Sequence, residues 1–160
     1  MYLILQYYNE MWNKWNFQLA DELLAPDFVF RGSLGKEVRG REAFKDYMHA
    51  VRNAFSDFHN KIESIFRRET DLIARLMYTG THDGTLLGIA PTNRRIAYPG
   101  IAIFRTNGHW FLEGYVVGDR LTLFEHILGQ RFWTDSSQSS PRTIFQHLHG
   151  SISGRHTDFP

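Results

Sequence analysis

The period of the hydrophobic pattern changes once along this chain, and that change limits the folds open to it. Up to residue 58, apolar side chains recur every three or four residues, as they do on one face of a helix. From His59 onward they alternate with polar side chains, which is typical of strands. Helices gathered ahead of a run of strands predict an α+β domain rather than alternating β-α-β units.

Three helices are predicted in the first part. The first covers residues 2–16, and a short second helix covers 17–24 and ends before Pro26, because proline disfavours helical geometry in the residue that precedes it. After a short strand, FVFRG, the clearest helix covers residues 40–58. Its apolar stripe is Phe44, Tyr47, Met48, Val51, Phe55 and Phe58.

The second part predicts a mostly antiparallel sheet and a closing helix. Two strands, residues 61–69 and 71–84, are joined by a turn near Glu69 to Asp71. A Gly- and Pro-rich link leads to two alternating runs separated by TNGH, which is a hairpin signal with Asn-Gly at its centre. A last amphipathic helix is expected at residues 121–128.

The 160 residues divide into a domain at 1–130 and a tail at 131–160. The tail begins with the polar linker TDSSQSSPRT and is rich in Gly and Ser, so it is too short and too polar for a core of its own. We expect it to be flexible, or to pack on the domain or on a partner subunit.

Composition excludes several classes of function. A net charge of +1 with dispersed Lys and Arg favours neither nucleic acid nor an anionic membrane as a partner. The N-terminus lacks the basic region and cleavage site of a signal peptide, and there is no cysteine, so we expect a cytoplasmic protein. Without metal-ligand spacings or a phosphate-binding loop, we expect no metal and no cofactor.

Four segments resemble the SnoaL-like polyketide cyclases, a branch of the NTF2-like superfamily. They are LADELLAPDFVFRG, GREAFKDYMHAVRNAFSDFHNKIE, GTHDGTLLGIAPTNRRI and GIAIFRTNGHWFLEGYVVGDRLTLFEHILG. The most distinctive element is G-T-H-x-G followed by G-I-x-P-T-x-R, at Gly80 to Arg94. A second is E-x-W-x-x-x-D-x-L-x-L, at Glu113 to Leu123, with Tyr115 in the tryptophan position.

The resemblance implies a cone of helices packed on a strongly curved sheet, open at one end to a small hydrophobic ligand, and commonly a homodimer. For the characterised cyclases it implies cofactor-free aldol ring closure of an aromatic polyketide. An aspartate in the last strand acts there as general acid and base, and that position matches Asp119. The tail after Gly129 lies outside this resemblance.

The chemistry of Asp119 leaves two interpretations open. If no bulge intervenes, His109, Phe111, Glu113, Tyr115, Val117 and Asp119 share one strand face. Apolar neighbours would then raise the carboxyl pKa toward the range useful for abstracting a carbon-bound proton. Alternatively, Asp119 caps the following helix. Glu113 is expected to make a cross-strand or subunit ion pair rather than to act as a second base.

Two histidines are candidates for the same site. His82, the second predicted catalytic residue, could donate a hydrogen bond to an enolate oxygen, or it could satisfy a backbone carbonyl beside the turn at Asp83-Gly84. His59 could line the cavity, or it could be a helix-end histidine favoured by the helix dipole.

The remaining predicted substrate-binding residues are polar aromatics, core aromatics and one amide. Tyr98 could reach a ligand oxygen with its phenol or be a core tyrosine. Asn13 matches a frequent asparagine of the family helix, although Trp15 replaces the usual following glycine. The other candidates, which serve a filled core as well as a hollow cone, are Trp12, Tyr47, Phe104 and Tyr115.

These observations support three hypotheses. The first is a SnoaL-like cyclase or isomerase acting on a hydrophobic carbonyl compound with Asp119 as base and His82 as the enolate donor. The second is a non-catalytic carrier or sensor that uses the same cone. The third is a cone-fold hydrolase or dehydratase, a class that generally needs several cooperating acids.

Overall fold

A computed structural model describes residues 2–132 of the chain. The helices are α1 (Tyr2–Leu5), which continues as a π-helix (Gln6–Trp12), α2 (Leu19–Leu23), α3 (Arg41–Ala54) and α4 (Arg120–Leu128). The strands are β1 (Leu24–Arg31), β2 (Glu37–Arg39), β3 (His59–Arg68), β4 (Asp71–Thr81), β5 (Arg95–Thr106) and β6 (Phe111–Gly118). No helix in this part of the chain has the length and apolar character needed to cross a bilayer.

The six strands form one sheet in the order β2-β1-β6-β5-β4-β3. Every neighbouring pair is antiparallel except β1 and β6, which run parallel. With the helices packed against this sheet, the predicted α+β architecture and mostly antiparallel sheet are confirmed. The compact unit ends at Gly129, and the predicted tail beyond Phe132 lies outside the described residues.

The concave side of the sheet is built by alternation. Along β5, alternate side chains from Ile96 to Thr106 are buried, while those between them face solvent. The helices cover the buried face with aromatic rings, and their ring planes meet mostly edge to face or tilted. These contacts centre on Tyr7, Phe28, Phe44, Phe104 and Phe111, all of which are fully buried.

The first helix differs from the prediction. It ends at Trp12 rather than at residue 16, and seven of its residues form a π-helix. Within six residues, this π-helix buries four aromatic or apolar side chains. Those buried residues are Tyr7, Tyr8, Met11 and Trp12. After the helix, Trp15 has a positive φ of 54°, which ends helical geometry there.

Other helix and strand boundaries also differ from the prediction. The long helix α3 ends at Ala54, four residues short of the prediction, although Phe55 and Phe58 are buried as the stripe predicted. The short strand β2 went unpredicted because three residues carry too little pattern to be recognised. The hairpin between β5 and β6 and the closing helix are confirmed.

Two aspartates tie the end of α3 to the end of β4. Asp57 accepts hydrogen bonds from the amide and hydroxyl of Thr81, and Asp83 accepts from the amide and hydroxyl of Ser56. Between them the backbones approach closely, because a Cβ on Gly84 would lie 1.7 Å from the carbonyl oxygen of Asn53. This position therefore requires glycine, and it fixes where the link before β5 begins.

Candidate functional site

A small apolar cavity lies between the helices and the concave face of the sheet. Its volume is about 50 Å³, which accommodates water-sized molecules. The first helix supplies Tyr7, Tyr8 and Trp12, and α3 supplies Tyr47 and Val51. The sheet and its loops supply Phe30, Ser33, Leu34, Phe58, Asn60, Tyr78, Tyr98 and Val116, and α4 supplies Leu123. None of these described lining residues carries a charge.

Three polar groups on residues of this wall have no well-formed hydrogen bond within the described residues. The hydroxyls of Tyr8 and Tyr78 and the indole Nε1 of Trp12 are buried, and no hydrogen bond of ordinary geometry reaches them within the described structure. The Tyr8 and Tyr78 hydroxyls lie within hydrogen-bonding reach of each other, and the Trp12 indole lies within reach of the Tyr7 hydroxyl, but neither contact has good geometry. A buried polar group without a partner costs about 1–3 kcal/mol. These three donors belong to residues that line the cavity.

Burial keeps these phenols protonated. It raises the pKa of Tyr47 to about 12 and raises the pKa values of Tyr8, Tyr78 and Tyr98 further, because the phenolate would lose its hydration. At neutral pH all four are therefore neutral donors. They can bind a carbonyl or enolate oxygen but cannot serve as bases.

An amide, rather than a histidine, lines the cavity where β3 begins. His59 is exposed, whereas Asn60 is buried and faces inward. Asn13 holds it through three hydrogen bonds of 2.8–3.0 Å, two to its backbone and one to its amide. Asn13 therefore positions the cavity residue without lining the cavity. Strand alternation was the signal that could have selected Asn60 over His59.

Asp119 does not face the cavity. Its side chain is exposed at the start of α4 and accepts hydrogen bonds from the Thr122 amide at 3.0 Å and hydroxyl at 2.7 Å. These bonds hold the pKa of the Asp119 carboxyl below its ordinary value. The predicted inward orientation and raised pKa are wrong, and the capping interpretation describes the observed geometry.

The reason lies in a bulge in β6. The pairing with β5 shifts between Arg105 and Thr106, so that Phe111 and Gly114 are both buried. The residues that follow are out of phase with Phe111, and Tyr115 faces outward with 49% of its surface exposed. Glu113 pairs with Arg105 across the strands at 3.5 Å, which confirms the predicted ion pair.

His82 is fully buried but does not line the cavity. Its Nδ1 lies 3.1 Å from the Thr92 hydroxyl and accepts from the Thr92 amide at 3.3 Å, and its ring packs on Phe55. Its backbone also bonds to Thr92, Asn93 and Arg94. Burial lowers the pKa of the imidazole, so His82 is neutral and organises the link before β5.

The other candidates divide between wall and surroundings. Tyr98, Tyr47 and Trp12 line the cavity as expected, whereas Phe104 is buried behind the wall, against Tyr7 and Phe111. The sequence-based site prediction did not include Tyr8 and Tyr78. The signal for Tyr8 was its place in the apolar stripe of the first helix, and the signal for Tyr78 was the strand alternation that also buries Leu72, Ala74 and Leu76.

The chain is similar to a known protein family and to several solved structures. A family model described as SnoaL-like polyketide cyclase matches residues 2–127. No curated protein matches the chain at a significant level.

Solved structures share the fold. A candidate SnoaL-like polyketide cyclase from Jannaschia sp. CCS1 has a TM-score of 0.73 at 19% identity, covering 78% of this chain and 88% of the other. The candidate polyketide cyclase IdmH from Streptomyces antibioticus has a TM-score of 0.69 at 23% identity, covering 79% and 96%. A protein with a ketosteroid isomerase-like fold from Catenulispora acidiphila has a TM-score of 0.68 at 18% identity, covering 83% and 97%. The predicted NTF2-like cone is confirmed.

The capping geometry predicts how Asp119 affects stability. Asp119→Ala should lower the free energy of unfolding by about 1 kcal/mol, whereas Asp119→Asn should change it little, because asparagine caps about as well. Chemical denaturation of both variants and the wild type measures this.

The same bonds predict a pH dependence. Because folding lowers the Asp119 pKa below its ordinary value of about 4, its contribution is complete above that pH and disappears as the pH falls through the folded pKa. Asp119→Asn should lack this acid-side loss, and equal loss in both proteins would contradict the assignment.

Proposed function

Because this chain belongs to the SnoaL-like polyketide cyclase family, we propose that its cone binds a hydrophobic carbonyl compound and holds the carbonyl oxygen on neutral phenols. The observation that supports this is a set of donors without a well-formed hydrogen bond, Tyr8, Trp12 and Tyr78, on residues of one apolar wall. A ligand oxygen would satisfy donors that are otherwise buried without partners.

The chemistry that such donors serve is enolate formation followed by ring closure. A base removes the proton from a carbon beside the carbonyl, and the electron pair moves onto the oxygen, where the phenols stabilise it. The enolate carbon then attacks a second carbonyl carbon of the same molecule. The new carbon–carbon bond leaves an alkoxide, which takes a proton to give the ring alcohol.

Asp119 is the proposed base, acting from the mouth of the cone. It directly follows Gly118, where a Cβ would lie 3.0 Å from the Tyr98 ring and 3.3 Å from Ser33, both cavity residues. To act, the carboxylate must leave Thr122 and turn inward. Losing those two hydrogen bonds and entering an apolar site would both raise its pKa and make it a stronger base.

A second candidate is a carrier or sensor that binds the same compound without turnover. The observation that favours it is the resting state of Asp119, which is exposed, capped and held at a low pKa. With no charged group on the described cavity wall, binding does not require a base, and the phenols alone account for recognition of a carbonyl oxygen.

Binding through the phenols can be tested with Prodan, a naphthyl ketone whose fluorescence reports hydrogen bonding. Tyr78→Phe and Tyr8→Phe should each weaken Prodan binding about fivefold, the value of one neutral hydrogen bond. Each variant should be about as stable as the wild type, because the hydroxyl that it removes makes no well-formed hydrogen bond. Tyr2→Phe, at an exposed tyrosine, is the matched control. Unchanged affinity in both variants would refute the proposed contacts.

Proton exchange separates the enzyme from the carrier. With 1-(2-naphthyl)butane-1,3-dione in D₂O, the wild type should accelerate loss of the C2 proton signal over buffer, as followed by NMR. Asp119→Asn should abolish most of the acceleration while retaining affinity. Binding without acceleration in the wild type would favour the carrier, and acceleration that survives in Asp119→Asn would exclude Asp119 as the base.

We also propose that the chain forms a homodimer through the outer face of the sheet. The cross-strand pairs Ile101–Val117 and Ile103–Tyr115 present four apolar side chains to solvent, each at least 43% exposed. The adjacent Arg105 and Glu113 carry opposite charges, so this face can pair with itself across a twofold axis.

Light scattering should give twice the 18.7 kDa of one chain for the wild type. Ile103→Lys should give the monomer mass, because two cations would meet in an apolar interface. The control is Phe66→Lys, which changes an exposed apolar residue on the edge strand β3. A monomeric wild type, or a dimer that survives Ile103→Lys, would contradict this interface.

A further inference from the structure

A larger groove adjoins the inner cavity. Its volume is about 430 Å³, and it shares Ser33 and Val116 with the cavity wall. Tyr115 and Val117 give it an apolar side. Three cations also line it: Arg31 at the end of β1, Lys36 in the loop before β2, and Arg120 at the start of α4.

The charges in the groove are not balanced. Its one carboxylate, Glu37, is paired with Arg31 at 2.6 Å and also with Arg39 at 2.7 Å. Lys36 and Arg120 make no ion pair with any residue in the described part of the chain. The neighbouring carboxylate of Asp119 bonds to Thr122 instead. The groove thus presents two uncompensated positive charges beside an apolar surface.

A tight turn separates the two compartments. The Gly35 amide donates to the Gly32 carbonyl at 3.0 Å, and the Gly32 amide donates to the Lys36 carbonyl at 3.1 Å. Gly35 has a φ of 82°, which favours glycine. Ser33 and Leu34 line the inner cavity, and Lys36 lines the groove. The same short loop therefore faces both spaces.

The sizes of the two spaces suggest that they work together. Ligand pockets usually measure about 300–1,000 Å³, so an inner cavity of about 50 Å³ is too small for a whole hydrophobic ligand. The groove of about 430 Å³ falls within that range. A ligand that enters the cone part of the way would leave its remainder against Lys36 and Arg120.

We propose that the groove binds the carboxylate of an elongated ligand whose carbonyl end enters the inner cavity, so that the protein takes the free acid in preference to its neutral ester. This rests on the proposed function, because it assigns a second part of the same ligand. Lys36 and Arg120 supply the charge, and Ser33, which lines both spaces, lies beside the segment between the two oxygen functions.

A matched pair of probes tests the charge directly. They are 6-acetyl-2-naphthoic acid, whose small methyl ketone and carboxyl group stand at opposite ends of the molecule, and its methyl ester, with binding followed by isothermal titration calorimetry. The full chain should bind the acid about tenfold more tightly than the ester, since two exposed charge contacts together supply about that factor. Raising the ionic strength should weaken binding of the acid and leave the ester unaffected.

Charge variants locate the effect. Lys36→Gln with Arg120→Gln should reduce the affinity for the acid to that for the ester, and the ester affinity should not change. The control is Lys61→Gln with Arg68→Gln, which removes the same charge from exposed positions of β3, the opposite edge of the sheet from β2. Single variants at Lys36 and Arg120 should each remove part of the preference, and they serve if the double variant folds poorly.

The outcomes separate the two proposals. If the ester binds and the acid binds no more tightly, the groove assignment fails and the phenol site stands. If the acid preference survives the groove variants or is lost in the β3 control, the groove assignment also fails. If neither probe binds, both proposals fail. Because Tyr115 and Val117 belong to the proposed dimer face, affinities are measured on the oligomer that the full chain forms.

Discussion

The fold depends on burying an aromatic helix against the concave side of a bent sheet. The π-helix at Gln6–Trp12 turns Tyr7, Tyr8 and Trp12 inward together, and their rings pack on Phe44 and Phe104. Such packing is favourable because large rings remove much apolar surface from water. It also carries polar groups inside, and the Tyr8 hydroxyl and Trp12 indole lie buried without a well-formed hydrogen bond. The stabilising contact and the candidate binding wall are therefore the same residues.

The sequence predicted the architecture well because its hydrophobic patterns extend over many residues. Helical periodicity across α3 and strict alternation along β4 and β5 extend over more than ten residues each, so single exceptions do not hide the period. The three-residue strand β2 has no such redundancy. The π-helix also lay beyond prediction, since an apolar stripe with α-helical spacing does not reveal a wider turn.

The site was less predictable because it depends on which face of its strand each single residue occupies. The bulge in β6 reverses which side chains face inward after Phe111, and it moves Tyr115 to the outer face. At the start of β3, inward-facing Asn60 and outward-facing His59 are neighbours, so an error of one residue selects the wrong side chain. The sequence did identify Tyr98 and Tyr47 as wall residues, because aromatic side chains occupy many positions of a cone wall.

The position of Asp119 connects stability with chemistry. The bonds that make this carboxylate a good cap lower its pKa, and a carboxylate of low pKa is a poor base for a carbon-bound proton. A ligand that reaches past Ser33 into the cavity would place a carbonyl compound at the mouth, near Gly118 and the start of α4. If that ligand carries a carboxylate on Arg120, it also places negative charge beside Asp119, which favours the protonated form and so raises its pKa. A negative charge of the ligand in the groove would then raise the basicity of Asp119, because Asp119 and Arg120 are adjacent residues at the start of α4.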